Sequence, residues 1–269
     1  LKNSHQRALR GEVGGWSDGA TRRNTRFLYS IREHELHGLG FAVTLTLKNC
    51  PASAEEWHLL RRAWIKRMER LGMLRLHWIT EWQRRGVPHL HCALWFSPEA
   101  VEKHGEAELY MSILRHWISL TASKYEASYR SQHLREIDGA IGWFQYLSKH
   151  AARGIKHYQR SSDNLPKAWK SKTGRMWGHT GDWPVREAIK IHLQGSEGDG
   201  GWYAYRRLIR AWRRSEARGD VYRSKIAKRL LRCPQEALSR VRGLSEWISE
   251  DLQNPLLANL AMRGFSVVC

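Results

Sequence analysis

Two ten-residue runs, Leu74 to Gln83 and Val87 to Phe96, are rich in Leu, Ile, Val, Thr and Trp and are separated only by Arg84-Arg85-Gly86. Three intervening residues force the runs to fold back on each other as an antiparallel hairpin, with Gly86 supplying the positive φ that such loops need. If Gln83 pairs with Val87 across the loop, the register places Glu81 opposite His89 and Ile79 opposite His91. Residues i and i+2 of a strand share a face, so both imidazoles of Pro88-His89-Leu90-His91 point the same way. Directly opposed residues lie about 5 Å apart at Cβ, which brings Glu81 to the same spot. His77 shares that face two pairs further along and is a secondary candidate.

The flanking segments complete an α+β unit. The spacing predicts a short helix from Arg26 to His37, and Phe41 to Leu47 then alternates as a strand with Ala42, Thr44 and Thr46 on one face. Ser53 and Glu56 form a capping-box pattern, Trp57, Leu60, Trp64, Met68 and Leu71 recur at helical spacing, and Gly72 marks the stop. After the hairpin, a helix from Glu106 to Leu120, a strand from Gln132 to Ile137 and a helix from Gly139 to about Ala152 are expected, with Asp138 as N-cap. The order is β-α-β-β-α-β with an added helix, the pattern of a ferredoxin-like antiparallel sheet. The stretch from Gly154 to Pro184 reads as a long Trp- and Gly-rich loop, and Val185 to His192 as an added strand. The remainder reads as helices, basic between Arg206 and Arg232. The expected organisation is a basic N-terminal segment (1–38), a main domain (39–195) and a helical basic C-terminal region (200–269).

Charge narrows the partners. Forty-five Lys and Arg against 26 acidic residues give a net charge of +19, which points to a polyanion, and nucleic acid is the default. The cations are spread along the chain rather than gathered in an amphipathic tail, which disfavours a membrane surface. No apolar run reaches a membrane span, and no G-x-x-x-x-G-K-[ST] loop occurs, so a cytoplasmic protein without helicase activity is expected. The four cysteines are far apart and read as buried reduced thiols. Most of the 14 Trp residues belong to a core; Trp169, Trp177 and Trp183 are candidates for stacking on unpaired bases, with Lys167, Lys170, Lys172 and Arg175 on the backbone phosphates.

Two imidazoles and a carboxylate with positions left open suit a divalent metal that also binds a substrate oxygen. Tyr146-Leu147-Ser148-Lys149 places a phenol and an ammonium three residues apart on one side of a helix. A tyrosine attacks a phosphodiester once its proton leaves and the phosphate charge is neutralised, for which Lys149 is the candidate. Tyr158 is the competing nucleophile.

An apolar, Thr-rich strand (Phe41 to Leu47), then His89-Leu90-His91 on a strand, then Tyr146 with Lys149 on a helix: this order resembles the His-hydrophobic-His (HUH) endonucleases. It looks most like the single-tyrosine rolling-circle initiators of filamentous phages and small plasmids, over roughly Phe41 to Ala152. The resemblance implies nicking and rejoining of single-stranded or hairpin DNA at an origin through a 5′-phosphotyrosine. It also implies Mg2+ or Mn2+ as cofactor, and a host helicase and polymerase as partners. No second tyrosine follows Tyr146 at close spacing, which sets the chain apart from two-tyrosine transposases and relaxases. A transposase or relaxase with the same site, or a non-catalytic single-strand-binding protein on the same fold, are the alternatives.

Overall fold

Regular alternation and good caps account for most of the architecture of the computed structural model, which describes residues 14–151, 153–170, 172–186, 192–194, 200–221, 224–225 and 250–268. The chain divides into two units, residues 1–185 and 186–269.

In the first unit, helix α1 (Asp18–Ser30) begins at Ser17, whose side chain accepts from the Ala20 N–H. The helix expected over Arg26 to His37 is thus displaced: its first half continues α1, and only a 3-10 turn, Glu33–Glu35, follows. The cap at Ser17 sets the start, and the polar first half of α1 carries no apolar periodicity to reveal it. Strand β1 (Leu39–Thr46) leads to α2 (Ala54–Arg70), where Ser53 Oγ accepts from the Glu56 N–H. Glu56 reaches back to the Ala52 N–H, one residue earlier than a strict capping box. The hairpin is β2 (Met73–Trp82) and β3 (Pro88–Phe96), closed by the Gln83 N–H donating to the Val87 carbonyl, with Gly86 at φ 78°. Helices α3 (Pro98–His104) and α4 (Glu106–Tyr125), strand β4 (His133–Glu136) and α5 (Gly139–Ala151) follow. The expected long loop then carries an unforeseen strand, β5 (Trp177–Gly181).

The sheet order is β4-β1-β3-β2-β5, with every neighbouring pair antiparallel. The fold is α+β, and the order of its first four strands is compatible with the ferredoxin-like expectation. One face is apolar. Val43, Leu45, Leu76, Leu90, Leu94 and Phe96 pack there against α2 and α4, which contribute Trp57, Trp64, Ile113 and Trp117. Three of the indole N–H groups in this core are satisfied: Trp64 donates to the Ile113 carbonyl, Trp117 to the Thr46 carbonyl, and Trp57 to Thr80 Oγ1. The other face is covered by α1 and α5, which pack on each other, and carries His77, Glu81, His89 and His91. Of the cysteines, Cys92 is buried as expected, but Cys50 is exposed beside the hairpin loop.

The second unit holds β6 (His192–Gln194) paired with β7 (Ser266–Val268), and helices α6 (Gly200–Glu216) and α7 (Glu250–Met262). Ile209 and Leu256 are buried between these helices. Most of the strand expected over Val185 to His192, and the basic stretch after residue 225, lie outside the described residues; Val185 itself bridges to Ile31. No helix among the described residues is long and apolar enough to cross a membrane.

Trp64 is fully buried and Leu59, on the same helix, is 65% exposed. Trp64→Ala is expected to cost about 3–5 kcal/mol in urea unfolding, and Leu59→Ala about 0.5 kcal/mol or less. Equal losses would contradict the assignment of the apolar face.

Candidate functional site

The hairpin register is the one expected from the loop length: Glu81 pairs with His89 and Ile79 with His91. On the other side of β3, Thr46 opposes His89 and Thr44 opposes His91. One ligand atom from each of Glu81, His89 and His91 lies within 4.8 Å of the others, and all three residues are buried.

Each imidazole has one nitrogen engaged and one free. His91 Nδ1 lies 2.9 Å from Thr44 Oγ1, and its Nε2 has no hydrogen-bond partner. His89 Nε2 lies 3.2 Å from the Gln159 amide, while its Nδ1 is unpartnered. The Gln159 amide oxygen is itself buried without a partner, and turning the carboxamide lets it accept from His89 Nε2–H. In the tautomers where His91 Nδ1–H donates to Thr44 and His89 Nε2–H to Gln159, each ring keeps a lone pair on its other nitrogen and is steered through the first, the arrangement found around metal-bound histidines.

Glu81 is the anionic centre, with no exposed surface. Its Oε1 accepts from Arg160 Nε at 2.8 Å, its Oε2 accepts from Arg153, and Oε2 stands 3.4 Å from His91 Nε2. Burial alone would raise this carboxyl, but His91 and the Arg160 charge hold it well below the usual carboxylate range. Burial pushes the His89 imidazole down to about 3 and lowers His91 as well. Neutral imidazoles beside an ionised carboxylate are the protonation states that ligate a divalent cation.

Helix α5 lies over this face. The centroid of its His150 ring is 4.7 Å from that of His91 and 4.6 Å from that of Tyr146. Tyr146 is buried, stacked on Trp143, and its hydroxyl lies 2.8 Å from His77 Nδ1. His77 Nε2 lies 2.8 Å from Asn24 Oδ1 of α1. With the Asn24 amide oxygen facing the ring, Nε2 carries the ring proton and Nδ1 accepts from the phenol. Burial raises the Tyr146 phenol well above its ordinary value. The structure therefore gathers Glu81, His89 and His91 into one cluster, but turns the Tyr146 hydroxyl to His77. Lys149, one turn along, is exposed; its ammonium is lowered by partial burial and by the Arg153 charge, and its own charge acts on His89 and His91.

Tyr158 is 43% exposed and sits beneath the Arg84 guanidinium. Among the candidates for DNA contact, Lys167, Lys170 and Arg175 are exposed, whereas Lys172 pairs with Glu55 at 2.8 Å. Trp169 and Trp183 are core residues whose indoles donate to the Pro51 and Thr180 carbonyls, and of the three tryptophans only Trp177 is partly exposed. Sequence reasoning misses Asn24, His150, Arg153, Gln159 and Arg160. His150 follows Tyr146 by four residues on one helix face, a spacing that marks it. The other four lie in segments without periodic pattern.

Residues 40–151 match the family described as replication-associated protein ORF2/gene II protein. The chain is 54% identical over 271 residues to a protein provisionally named as a replication protein in Xylella fastidiosa strain 9a5c, covering 99% of this chain and 93% of that one. A second protein of that provisional name, from strain Temecula1, is 56% identical over 251 residues, covering 92% of each. The replication-associated protein of Pseudomonas phage Pf3 is 48% identical over 261 residues, covering 96% of this chain and 90% of that one. No solved structure matches the chain.

His77 yields a pH prediction. Burial lowers its folded-state pKa to about 3, aided by His179 and Arg160, whereas the unfolded chain takes up that proton near pH 6.5. Between these values the unfolded state binds more protons, so stability falls as pH drops, by up to about 1.4 kcal/mol per pH unit for this group. Unfolding free energies measured from pH 7 to pH 4 should show a shallower slope in His77→Gln than in the wild type. An unchanged slope would contradict a buried neutral His77.

Proposed function

The chain belongs to the replication-associated protein ORF2/gene II protein family, and from that premise we propose that it initiates rolling-circle replication by nicking and rejoining single-stranded DNA at an origin. The observation that carries the reading is the convergence of Glu81, His89 and His91 within 4.8 Å, each imidazole keeping one buried nitrogen unpartnered, under the helix that bears Tyr146 and Lys149.

In this reading Glu81 Oε2, His89 Nδ1 and His91 Nε2 would hold a divalent cation, Oε2 giving up its contact with Arg153. A bound Mg2+ or Mn2+ supplies positive charge to the scissile phosphate, and imidazole ligands favour Mn2+ in affinity. Thr44 and Gln159 keep the two rings turned for binding. Lys149 neutralises the phosphate oxygens. Tyr146 is the nucleophile: its phenol exchanges His77 for the phosphate when DNA binds, the Oη–P bond forms, and the P–O3′ bond breaks. The phenolic proton is lost to solvent and the released 3′ oxygen takes one up, leaving a 3′-hydroxyl for a host polymerase. The large positive charge and the exposed Lys167, Lys170 and Arg175 suit the DNA backbone at an origin hairpin, and strand separation falls to a host helicase. One observation supports a second assignment of the nucleophile: Tyr158 is exposed where Tyr146 is buried.

Labelled single-stranded DNA from the replicon, incubated with protein and Mn2+, is expected to give a covalent band on a denaturing gel. The band should vanish with EDTA, in His91→Ala and in Tyr146→Phe, and form at least about 100-fold more slowly in Lys149→Ala, as for the loss of one group that stabilises transition-state charge. A band that survives Tyr146→Phe and disappears in Tyr158→Phe would transfer the role to Tyr158. Absence of any adduct, with binding intact, would leave a DNA-binding replication protein without this chemistry.

A further inference from the structure

We propose that Arg160 is a positioning residue that ties the metal-binding carboxylate to the end of the nucleophile helix; this rests on the metal-site reading above. Arg160 is 1% exposed, and its guanidinium spends its donors on three acceptors. Nε donates to Glu81 Oε1 at 2.8 Å, Nη2 to the His150 carbonyl at 2.8 Å, and Nη1 to the Arg153 carbonyl. The guanidinium carbon lies 4.1 Å from the centroid of the Trp16 ring, which closes off one flank of the group.

Each contact has a distinct physical effect. The bond to Oε1 takes up one carboxylate oxygen, so that Oε2, which also accepts from Arg153, is the one that stands beside His91. A carboxylate fixed in this way presents a single oxygen in a single direction, and such outer hydrogen bonds tune metal affinity. His150 is the penultimate residue of α5, so its carbonyl is among those that the helix itself leaves without a partner. A cation donating there caps the helix and complements the negative end of its dipole. Tyr146 lies one turn earlier on the same helix. One planar side chain thus fixes the ligand and the nucleophile helix relative to each other.

The segment bearing Arg160 is itself anchored to the sheet. The Trp82 N–H at the end of β2 donates to the Gln159 carbonyl at 2.8 Å, and the Arg160 N–H to the His157 carbonyl at 2.8 Å. Gln159 faces His89, so two consecutive residues support two different ligands. Lysine cannot reproduce the arrangement, because one ammonium cannot span three acceptors in the plane of a fork.

The test measures Mn2+ affinity of the full-length protein, without DNA, from the free-ion electron paramagnetic resonance signal, with amide hydrogen exchange of α5 in parallel. Arg160→Lys is expected to weaken Mn2+ binding about 10- to 100-fold and to speed exchange in the last turn of α5 about tenfold or more, the loss of one charge-assisted bond. Arg160→Ala should behave likewise and regain Mn2+ affinity when free guanidinium is added at concentrations that do not unfold it. Should the alanine variant not fold, the lysine variant carries the test, since it keeps both the charge and most of the stem. Wild-type Mn2+ affinity and wild-type α5 exchange in Arg160→Lys would overturn the tether. Mn2+ affinity unchanged in Glu81→Gln would instead overturn the metal site on which it rests.

Discussion

A carboxylate sealed from water is tolerated only where its surroundings supply the charge that water would have supplied. Glu81 has no exposed surface and meets that condition through the Arg153 and Arg160 guanidiniums. Its neighbours arrive from every part of the first unit: His91 from the adjoining strand of the hairpin, Arg160 from the segment after α5, and, through Arg160, the carbonyl end of α5 itself. Removing Glu81 would leave two guanidiniums without their shared carboxylate, Arg160 fully inside the protein. The local structure around the hairpin is thereby coupled to a segment some eighty residues later in the chain.

The sheet divides its labour between faces. Toward α2 and α4 it presents aliphatic side chains and packs against the tryptophans Trp57, Trp64 and Trp117, whose N–H groups find acceptors, and this face supplies the burial that holds the unit together. Toward α1 and α5 it presents histidines, threonines and Glu81, a polar set that would destabilise a core if left unpaired. Among the buried nitrogens there without partners, His89 Nδ1 and His91 Nε2 lie together with a Glu81 oxygen within 4.8 Å. That convergence with a carboxylate, rather than the bare count of unsatisfied groups, is what supports the proposal of a ligand site.

The hairpin register was legible because it needed only a three-residue loop and the two-residue period of a strand; both Glu81–His89 and Ile79–His91 follow from that arithmetic. The alternation of β1 and the capped α2 were legible for similar local reasons. Strand β5 was not, since Trp177-Gly-His-Thr-Gly181 has two glycines and no alternation, and it is a strand because β2 offers it an open edge. The beginning of α1 was hidden by a polar first half. At the site, the residue types could be read, but not the direction of the Tyr146 hydroxyl, which is set by His77 and Asn24 from two other elements. Arg160 was one cation among 45 Lys and Arg residues, and only the fold reveals that it is buried against a carboxylate. Trp169 and Trp183 show the converse: a tryptophan in a Gly- and Lys-rich stretch can still be core, where the remote Pro51 carbonyl takes the Trp169 indole N–H and the nearby Thr180 carbonyl that of Trp183.

Direct detection of the ligand atoms tests the central claim, that the hairpin builds a cation site from two imidazoles and a carboxylate. Electron spin echo modulation of Mn2+ bound to the full-length protein would count the coordinated histidine nitrogens. Two imidazole couplings are predicted, falling to one in His89→Ala and to one in His91→Ala. A spectrum without nitrogen coupling, or one that neither substitution changes, would contradict the account.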